Sequence, residues 1–227
     1  MLMAQKVKNV TGFEVMPHIC CRDKNAIAMR STFLGASIND INNFLIITGD
    51  PIPVMARQVV KSVFNFDSVG LMRIADEMNS EALKDSPLTY GGAINQSRRR
   101  IESEIKRVQK KMEAGAEFFL TQPVFTAEDA ERLRRVKEET GARILCGIMP
   151  LVSRKNALFM KNEISGVNVT DEVIERYPEN AGREDGENVG VELAKEMIAA
   201  TRDFADGYYF SFPFNRTYLL KRIIEEL

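Results

Sequence analysis

The sequence predicts an α/β protein in which six strand–helix units follow one another along the chain. Short apolar segments that end in polar residues recur through the 227 residues, and amphipathic helices lie between them. No two predicted strands are adjacent in the sequence, and this alternation is typical of a parallel sheet covered by helices. Because no linker or low-complexity segment divides the chain, we expect a single domain over residues 1–227.

The clearest of these units lies in the middle of the chain. Gly115 is expected to end a helix, since a residue without Cβ can adopt the left-handed conformation there. A short buried strand, Phe118–Leu120, follows it, and the polar residues Thr121 and Gln122 come next. Pro123 is expected to end the strand pairing. A polar pair at the end of a buried strand is costly unless it is hydrogen-bonded or used.

The other elements are predicted from the same periodicities. Asp23 and Thr126 are expected to begin helices, the latter with Asp129 three residues later as in a capping box. The polar segment 182–186 is expected to be a loop, and the last helix to carry Leu227 on its apolar face. The remaining predictions are a helix end at 5–12, strands at 15–20, 44–47, 88–94, 144–149 and 207–212, an irregular connection at 51–65, and helices at 97–114, 153–164 and 171–177. Two further helices are predicted from their apolar spacing, one carrying Leu71, Ile74, Ala75 and Met78 and one carrying Val189, Leu193, Met197, Ala200 and Phe204.

Composition excludes several classes of protein. The net charge is −1, with 44% hydrophobic and 28% charged residues, so no nucleic acid or anionic membrane is expected as a partner. No apolar run approaches the roughly 20 residues that span a bilayer. Residues 1–4 are apolar but too short for a signal sequence, and we expect a cytoplasmic protein.

The cysteines and the single histidine argue against a disulfide framework or a metal site. Cys20, Cys21 and Cys146 are best explained as buried thiols, because neighbouring residues on a strand point to opposite faces. A zinc site would need more Cys or His ligands than the chain offers.

Two architectures compete for this pattern, an open doubly wound sheet and a (β/α)₈ barrel. The doubly wound sheet would carry a G-x-G-x-x-G segment after its first strand, and this chain has Cys20–Asp23 there. Polar residues after every strand favour the rim of a barrel. A barrel needs eight units in roughly 250 residues, however, and this chain has six.

The polar residues at the predicted strand ends form no catalytic triad, carboxylate pair or metal cage. One histidine, one aspartate and several amides are better suited to binding and orienting a cofactor. Each could also be structural: a core histidine, an Asx turn, a loop hydrogen bond or a surface charge. The set is His18, Thr48, Asp50, Asn95, Thr121, Gln122, Ser211, Asn215 and Arg216.

Five segments in order resemble the methylenetetrahydrofolate reductases, and most closely the reductase half of bacterial bifunctional proteins that also contain a homocysteine S-methyltransferase. The resemblance covers nearly the whole chain and is more specific than any one motif. The segments are His18–Asp23, Thr48–Pro51, Glu113–Phe125, Gly147–Pro150 and Phe214–Arg216.

This resemblance implies a cytoplasmic enzyme of one-carbon metabolism and methionine biosynthesis. The family binds FAD and reduces 5,10-methylenetetrahydrofolate to 5-methyltetrahydrofolate, with NADH or NADPH as electron donor. The resemblance begins at the family's third strand, so the expected fold is a TIM-type (β/α)₈ barrel lacking its first two βα units. The absent part carries the family's general-acid glutamate, and no proton donor is assigned here.

The resemblance also implies roles for individual residues. Asp50 and Gln122 are expected to act in catalysis, as a carboxylate beside the flavin and as an amide that contacts folate and nicotinamide. Gln122, Asn156 and Arg216 are expected to bind the substrate. The expected FAD contacts are His18, Thr48, Gly49, Asp50, Asn95, Glu104 and Lys111.

Six units leave open strand edges, and this allows other interpretations. The chain could be a fragment, or its barrel could be completed by a homo-oligomer or by a partner segment. It could also be a catalytically incompetent relative that serves as a flavin- or folate-binding or assembly partner. A different barrel enzyme, acting on a phosphorylated molecule, is disfavoured because no catalytic lysine or carboxylate pair lies at the strand ends.

Overall fold

The computed structural model describes residues 1–164, 166–180 and 182–225, in which six parallel strands alternate with helices. This confirms the predicted fold class, the repeating βα units of a TIM-type fold with six units in place of eight. Residues divide into two compact units, a first unit of residues 1–93 and 107–118 and a second unit of residues 94–106 and 119–227. None of the described helices is long and apolar enough to cross a membrane.

The first unit contains three strands that pair in parallel and in order. The bounds are α1 Leu2–Thr11, β1 His18–Cys20, α2 Ala26–Ser37, β2 Asn43–Ile47, α3 Ser68–Ser80 and β3 Thr89–Ile94. His18 is level with Leu45 and Cys20 with Ile47, so β1 and β2 end together. The core is aromatic and aliphatic, and Phe33 meets Phe44 edge-to-face with 5.3 Å between ring centroids.

The second unit contains the other three strands, of which β4 pairs with β5 and β5 with β6, again in parallel. The bounds are α4 Ile101–Glu113, shared with the first unit, β4 Phe118–Pro123, α5 Ala127–Thr140, β5 Ile144–Ile148, α6 Arg154–Glu163, α7 Asp171–Glu175, α8 Arg183–Thr201, β6 Gly207–Phe210 and α9 Tyr218–Glu225. Helix α8 covers the sheet with buried residues that include Leu193, Ala194 and Met197.

Several predicted boundaries are confirmed. Gly115 has a φ of 90°, the left-handed conformation expected at the end of a helix. Thr126 begins α5 and accepts a hydrogen bond from the Asp129 amide. The buried Asp129 carboxylate in turn accepts from the Phe125 backbone amide at 3.4 Å.

Other boundaries differ from the predictions, and each difference has a local cause. Strand β1 begins at His18 and not at residue 15, so His18 lies at the start of the strand and not at its end. Asn25 caps α2, because Asp23 is engaged by the Arg22 guanidinium at 2.6 Å. The predicted loop at 182–186 is helical from Arg183, where the Asp185 carboxylate accepts from the Gly182 amide at 3.2 Å. Leu227, expected on the last helix, lies outside the described residues.

The largest difference concerns β4. The strand does not end at Leu120 but continues through Thr121, Gln122 and Pro123. Leu120 pairs with Leu145 and Pro123 with Gly147, so three steps on β4 match two on β5. The extra residue makes a bulge, defined here as residues 121–123, and bulges change the direction in which side chains point.

Candidate functional site

The end of β2 in the first unit carries Thr48, Gly49 and Asp50. Gly49 has a φ of 89°, and a Cβ there would lie 2.9 Å from the Cβ of Cys20, so glycine is required by both conformation and space. The Thr48 hydroxyl accepts from the Ser68 amide at 3.2 Å, which satisfies a free N–H at the start of α3. Asp50 is exposed, and its backbone carbonyl accepts from the Arg22 guanidinium at 3.3 Å.

His18 lies two residues before the end of β1 and is level with Leu45 on β2. Its side chain is exposed on one side, and partial burial of the ring lowers its pKa below the ordinary value of 6.5. A neutral imidazole offers one donor and one acceptor, which suits hydrogen bonding to a neutral heterocycle.

A cavity of about 360 Å³ adjoins this end of β2 within the first unit. Its lining combines apolar surface from Ile52 and Phe64 with two cations, Arg57 and Lys61. The Arg57 side chain donates to the Ile52 carbonyl at 3.0 Å, which keeps that guanidinium at the cavity wall. Such a lining suits a ligand with an aromatic part and an anionic part.

The bulge of β4 in the second unit is held by side-chain donors. The Tyr209 hydroxyl donates to the Thr121 carbonyl at 2.5 Å. The Thr121 hydroxyl donates to the Gln122 carbonyl at 2.7 Å and accepts from the Gly147 amide at 2.9 Å. A Cβ on Gly147 would lie 2.6 Å from the Tyr209 hydroxyl, so the tyrosine side chain fits only because residue 147 is glycine.

Gln96 completes the support of the bulge. Its side chain is fully buried, and its Nε2 donates to the Gln122 carbonyl at 3.0 Å and to the Pro123 carbonyl at 3.3 Å. The Gln122 side chain itself is half-buried, and no hydrogen bond to its amide is found among the described residues. The strand end therefore has a fixed backbone and a side-chain amide open to a ligand.

Asn95 directly follows β3, and its backbone amide contacts Glu104 in the first turn of α4. The Glu104 carboxylate is 2% exposed, accepts from the Asn95 amide at 3.0 Å and pairs with the Arg98 guanidinium at 2.8 Å. On the part of α4 that belongs to the first unit, Lys111 is 4% exposed and donates to the Ala93 carbonyl. The side chains of Glu104 and Lys111, both expected to contact FAD, are thus bonded to protein groups.

Asn156 and Arg216 occupy different environments in the second unit. Asn156 is buried on the first turn of α6, and its Oδ1 accepts from the Val152 amide at 3.2 Å. Arg216 is half-buried, 5.6 Å over the Phe214 ring and 3.4 Å from the Glu187 carboxylate. Contacts among the described residues do not join Gln122, Asn156 and Arg216 to one another.

The segment before Arg216 has unusual backbone. Phe214 and Asn215 have φ of 56° and 57°, a conformation that costs non-glycine residues on the order of 1–3 kcal/mol each. Glu187 on α8 stabilises the start of α9, because its Oε1 accepts from the Tyr218 hydroxyl at 2.6 Å and from Arg183 at 2.9 Å. Burial alone would raise the pKa of Glu187, but these donors and Arg216 outweigh burial and lower it.

Three residues of these arrangements were missed by the sequence reasoning. Gln96 directly follows the predicted strand end at Asn95, so its position was a usable signal. Tyr209 lies inside a predicted strand, and Glu187 follows a segment predicted to be a loop, so the sequence contained no signal for the role of either residue. In the described ranges, no cluster of three His, Cys, Asp or Glu side chains could hold a metal ion.

Comparison with known proteins identifies the family to which the chain belongs. The model of the methylenetetrahydrofolate reductase family matches residues 1–227, and the chain belongs to this family of folate-related oxidoreductases. No curated protein matches the sequence.

Among the solved structures that share the fold are the following two. An uncharacterised protein from Clostridium thermocellum that binds two copies of 5-methyl-5,6,7,8-tetrahydrofolic acid is 16% identical, with a TM-score of 0.67 over 97% of this chain and 75% of that chain. A 2,3-dimethylmalate lyase of the PEP mutase/isocitrate lyase superfamily is 14% identical, with a TM-score of 0.52 over 98% of this chain and 62% of that chain.

Proposed function

We propose that this protein reduces 5,10-methylenetetrahydrofolate to 5-methyltetrahydrofolate with bound FAD, and that NADH or NADPH supplies the electrons. The observation that carries this proposal is the family match over residues 1–227. The structural neighbour that binds 5-methyltetrahydrofolate supports a folate as the small-molecule ligand. The site described above adds an open amide at Gln122 on a rigid strand end.

The residues at the end of β2 fit part of a flavin nucleotide. The adjoining cavity has apolar walls for a ring and the cations Arg57 and Lys61 for phosphate. FAD, when bound, would supply hydride transfer. We assign Thr48, Gly49 and Asp50 to the edge of the flavin ring, and His18 to a hydrogen bond with it.

Asp50 is proposed to act through its charge. Its exposed carboxylate accepts no side-chain hydrogen bond among the described residues and has Arg22 as a neighbouring cation, so it remains accessible to a ligand. A carboxylate disfavours negative charge developing beside it and stabilises a cationic iminium form of the folate. Both effects favour transfer of hydride to the substrate.

Substrate binding is assigned to three residues of the second unit. The Gln122 amide offers a donor and an acceptor, as a pterin or a nicotinamide carboxamide requires. Arg216 offers a planar cation for a carboxylate of the folate tail. Asn156 is buried and bonded through Oδ1, so we assign to it a contact through its remaining amide donor.

One observation favours the alternative, a catalytically incompetent relative that binds flavin or folate or serves in assembly. Asn95, Glu104 and Lys111 are proposed to hold the rest of FAD, yet Glu104 and Lys111 are buried and already bonded to protein groups. These side chains would have to change partners when the cofactor binds. Such a change weakens binding by the cost of breaking the existing bonds.

A partner is also proposed for the first unit. Helix α1 buries none of its side chains, and Leu2, Met3 and Val10 are 84%, 75% and 70% exposed. Exposed apolar surface of this kind marks contact sites. It supports a homo-oligomer or uptake of a partner segment, in a protein that we propose to be cytoplasmic.

A visible absorbance spectrum tests the proposed activity. Purified protein is mixed with FAD and then titrated anaerobically with NADH or NADPH. We expect a bound-flavin spectrum that bleaches with one of the two and recovers when 5,10-methylenetetrahydrofolate is added. Protein that binds 5-methyltetrahydrofolate but never retains flavin would establish the non-catalytic alternative.

A further inference from the structure

The β4 bulge departs from regular pairing with β5, and one buried side chain donates to two of its carbonyls. Between Leu120 and Pro123 the register on β5 advances by one residue less than on β4. Carbonyls at such a position must find other donors or remain unsatisfied. Gln96 Nε2 donates to the Gln122 carbonyl at 3.0 Å and to the Pro123 carbonyl at 3.3 Å.

Gln96 is itself held firmly. Its side chain has 0% exposure, and its backbone carbonyl accepts from the Arg132 Nε at 2.6 Å. Arg132 also donates to the Arg98 carbonyl, so the segment that follows β3 is tied to α5 at two points. Because the Gln96 backbone is anchored and its side chain is fully buried, placing Nε2 against the two carbonyls costs little further side-chain entropy.

We propose that Gln96 is a positioning residue for ligand recognition by Gln122. By holding the Gln122 and Pro123 carbonyls, Gln96 fixes the bulge and with it the direction of the Gln122 amide. The ligand is the pterin ring of a folate, so this inference rests on the proposed function. Gln96 makes no contact with the ligand in this account.

Loss of the Nε2 donor is expected to weaken ligand binding more than it weakens folding. Gln96→Leu keeps the volume close to that of glutamine but leaves the Pro123 carbonyl without this donor. We expect its dissociation constant for 5-methyltetrahydrofolate to rise about tenfold, since the Gln122 amide loses its fixed direction. The readout is isothermal titration calorimetry on folded protein.

Asn42→Leu is the matched control. Asn42, like Gln96, is a loop residue whose buried side-chain oxygen has no hydrogen bond among the described residues, and its Nδ2 donates to the Ser86 hydroxyl at 3.0 Å. It lies in the first unit and is not bonded to β4. We expect the melting temperature of Asn42→Leu to fall as much as that of Gln96→Leu, while its dissociation constant for 5-methyltetrahydrofolate stays unchanged.

A double-mutant cycle shows whether the effect passes through Gln122. If Gln96 acts by orienting that amide, Gln96→Leu has little further effect on affinity in a Gln122→Ala background. Independent, additive losses from the two substitutions would overturn the inference. Equal affinity of Gln96→Leu and the unmodified protein would also overturn it.

Gln96→Glu is a second variant that keeps the test available if Gln96→Leu does not fold. A buried carboxyl facing two carbonyls has a raised pKa and can donate only when it is protonated. Its affinity should therefore approach that of the unmodified protein at low pH and fall as pH rises, whereas a flat profile contradicts the proposal.

Unmodified protein that binds no 5-methyltetrahydrofolate would contradict both the proposed function and this inference. Unchanged binding in the variants would contradict the inference alone.

Discussion

The ends of β2 and β4 occupy the same place in their βα units but are built differently. At the end of β2, Asp50 is exposed and its carboxylate accepts no side-chain hydrogen bond among the described residues. At the end of β4, the carbonyls of Thr121, Gln122 and Pro123 each accept a side-chain hydrogen bond. The first arrangement leaves an exposed carboxylate, with Arg22 as a neighbouring cation, accessible to a ligand, and the second fixes the direction of an amide. Substitutions at the two ends should consequently differ in how far they alter stability and how far they alter chemistry.

The largest effect on stability is expected at the β4 end, from Gly147→Ala. The added Cβ would lie 2.6 Å from the Tyr209 hydroxyl and displace it from the Thr121 carbonyl. We expect a loss of about 2–3 kcal/mol in the free energy of unfolding, measured by urea denaturation. Gly35→Ala on α2 is the control: apart from its own helix backbone, no atom of the described residues lies within 4 Å of the added Cβ, and it should stabilise the protein by about 0.5–1 kcal/mol. Equal effects of the two would show that the bulge is not tightly packed.

Glu187→Gln should have the next largest effect. It removes the charge that accepts from Arg183 and Tyr218 and lies beside Arg216. We expect a loss of about 1–2 kcal/mol in the free energy of unfolding at pH 7. The control is Glu192→Gln: Glu192 is exposed on α8 and pairs with Lys195, and its substitution should change stability by less than about 0.5 kcal/mol. Denaturation at two pH values separates these outcomes.

The same residue makes a pH-dependent contribution with a definite sign. The folded-state pKa of Glu187 is lower than its ordinary value of 4.5. Its contribution is therefore complete above about pH 4.5 and is lost as pH falls through the folded-state pKa. Stability of Glu187→Gln should fall less steeply in acid than that of the unmodified protein, and parallel curves would contradict this.

Thr48→Val tests the structural part of the β2 end. The Ser68 amide would lose its acceptor at the start of α3, which should cost about 1 kcal/mol of the free energy of unfolding. Thr32→Val on α2 removes a hydroxyl that donates to the Ala28 carbonyl and accepts from the exposed Lys24 ammonium, and it should cost less than about 0.5 kcal/mol. A null result for Thr48→Val would mean that the hydroxyl is free for a ligand.

Asp50→Asn should have the smallest effect on stability and a large one on turnover. Because the carboxylate is exposed, the free energy of unfolding should change by less than about 0.5 kcal/mol. Folate reduction should slow by about 10²-fold, since the charge beside the reacting groups is lost. Asp85→Asn, also exposed, should leave the rate unchanged. Comparable stability losses for Asp50→Asn and Gly147→Ala would remove the contrast between the two strand ends.

The sequence predicted the order and type of the elements because burial repeats with clear periods. Leu71, Ala75 and Met78 on α3 are buried as their spacing requires. The glycine at position 115 was also predictable, since few residues adopt a φ of 90°. The family resemblance, carried by segments such as Thr48–Pro51, is confirmed by the match over residues 1–227.

The supports of the site were not predictable in the same way. A bulge depends on the register of two strands, which no local pattern encodes, so Pro123 was expected to end the strand that it continues. Gln96 and Glu187 act on groups 26 and 31 residues away, Gln122 and Tyr218. Only the fold brings such partners together.

The central claim is that the β4 end, through Gln122, binds a folate. Calorimetric titration of 5-methyltetrahydrofolate into the unmodified protein, Gln122→Ala and Gln109→Ala tests it most directly, because Gln109 is an exposed glutamine on α4. We predict binding by the unmodified protein and by Gln109→Ala with equal affinity, and at least about tenfold weaker binding by Gln122→Ala. Equal affinity of all three proteins, or no binding by the unmodified protein, would contradict the account.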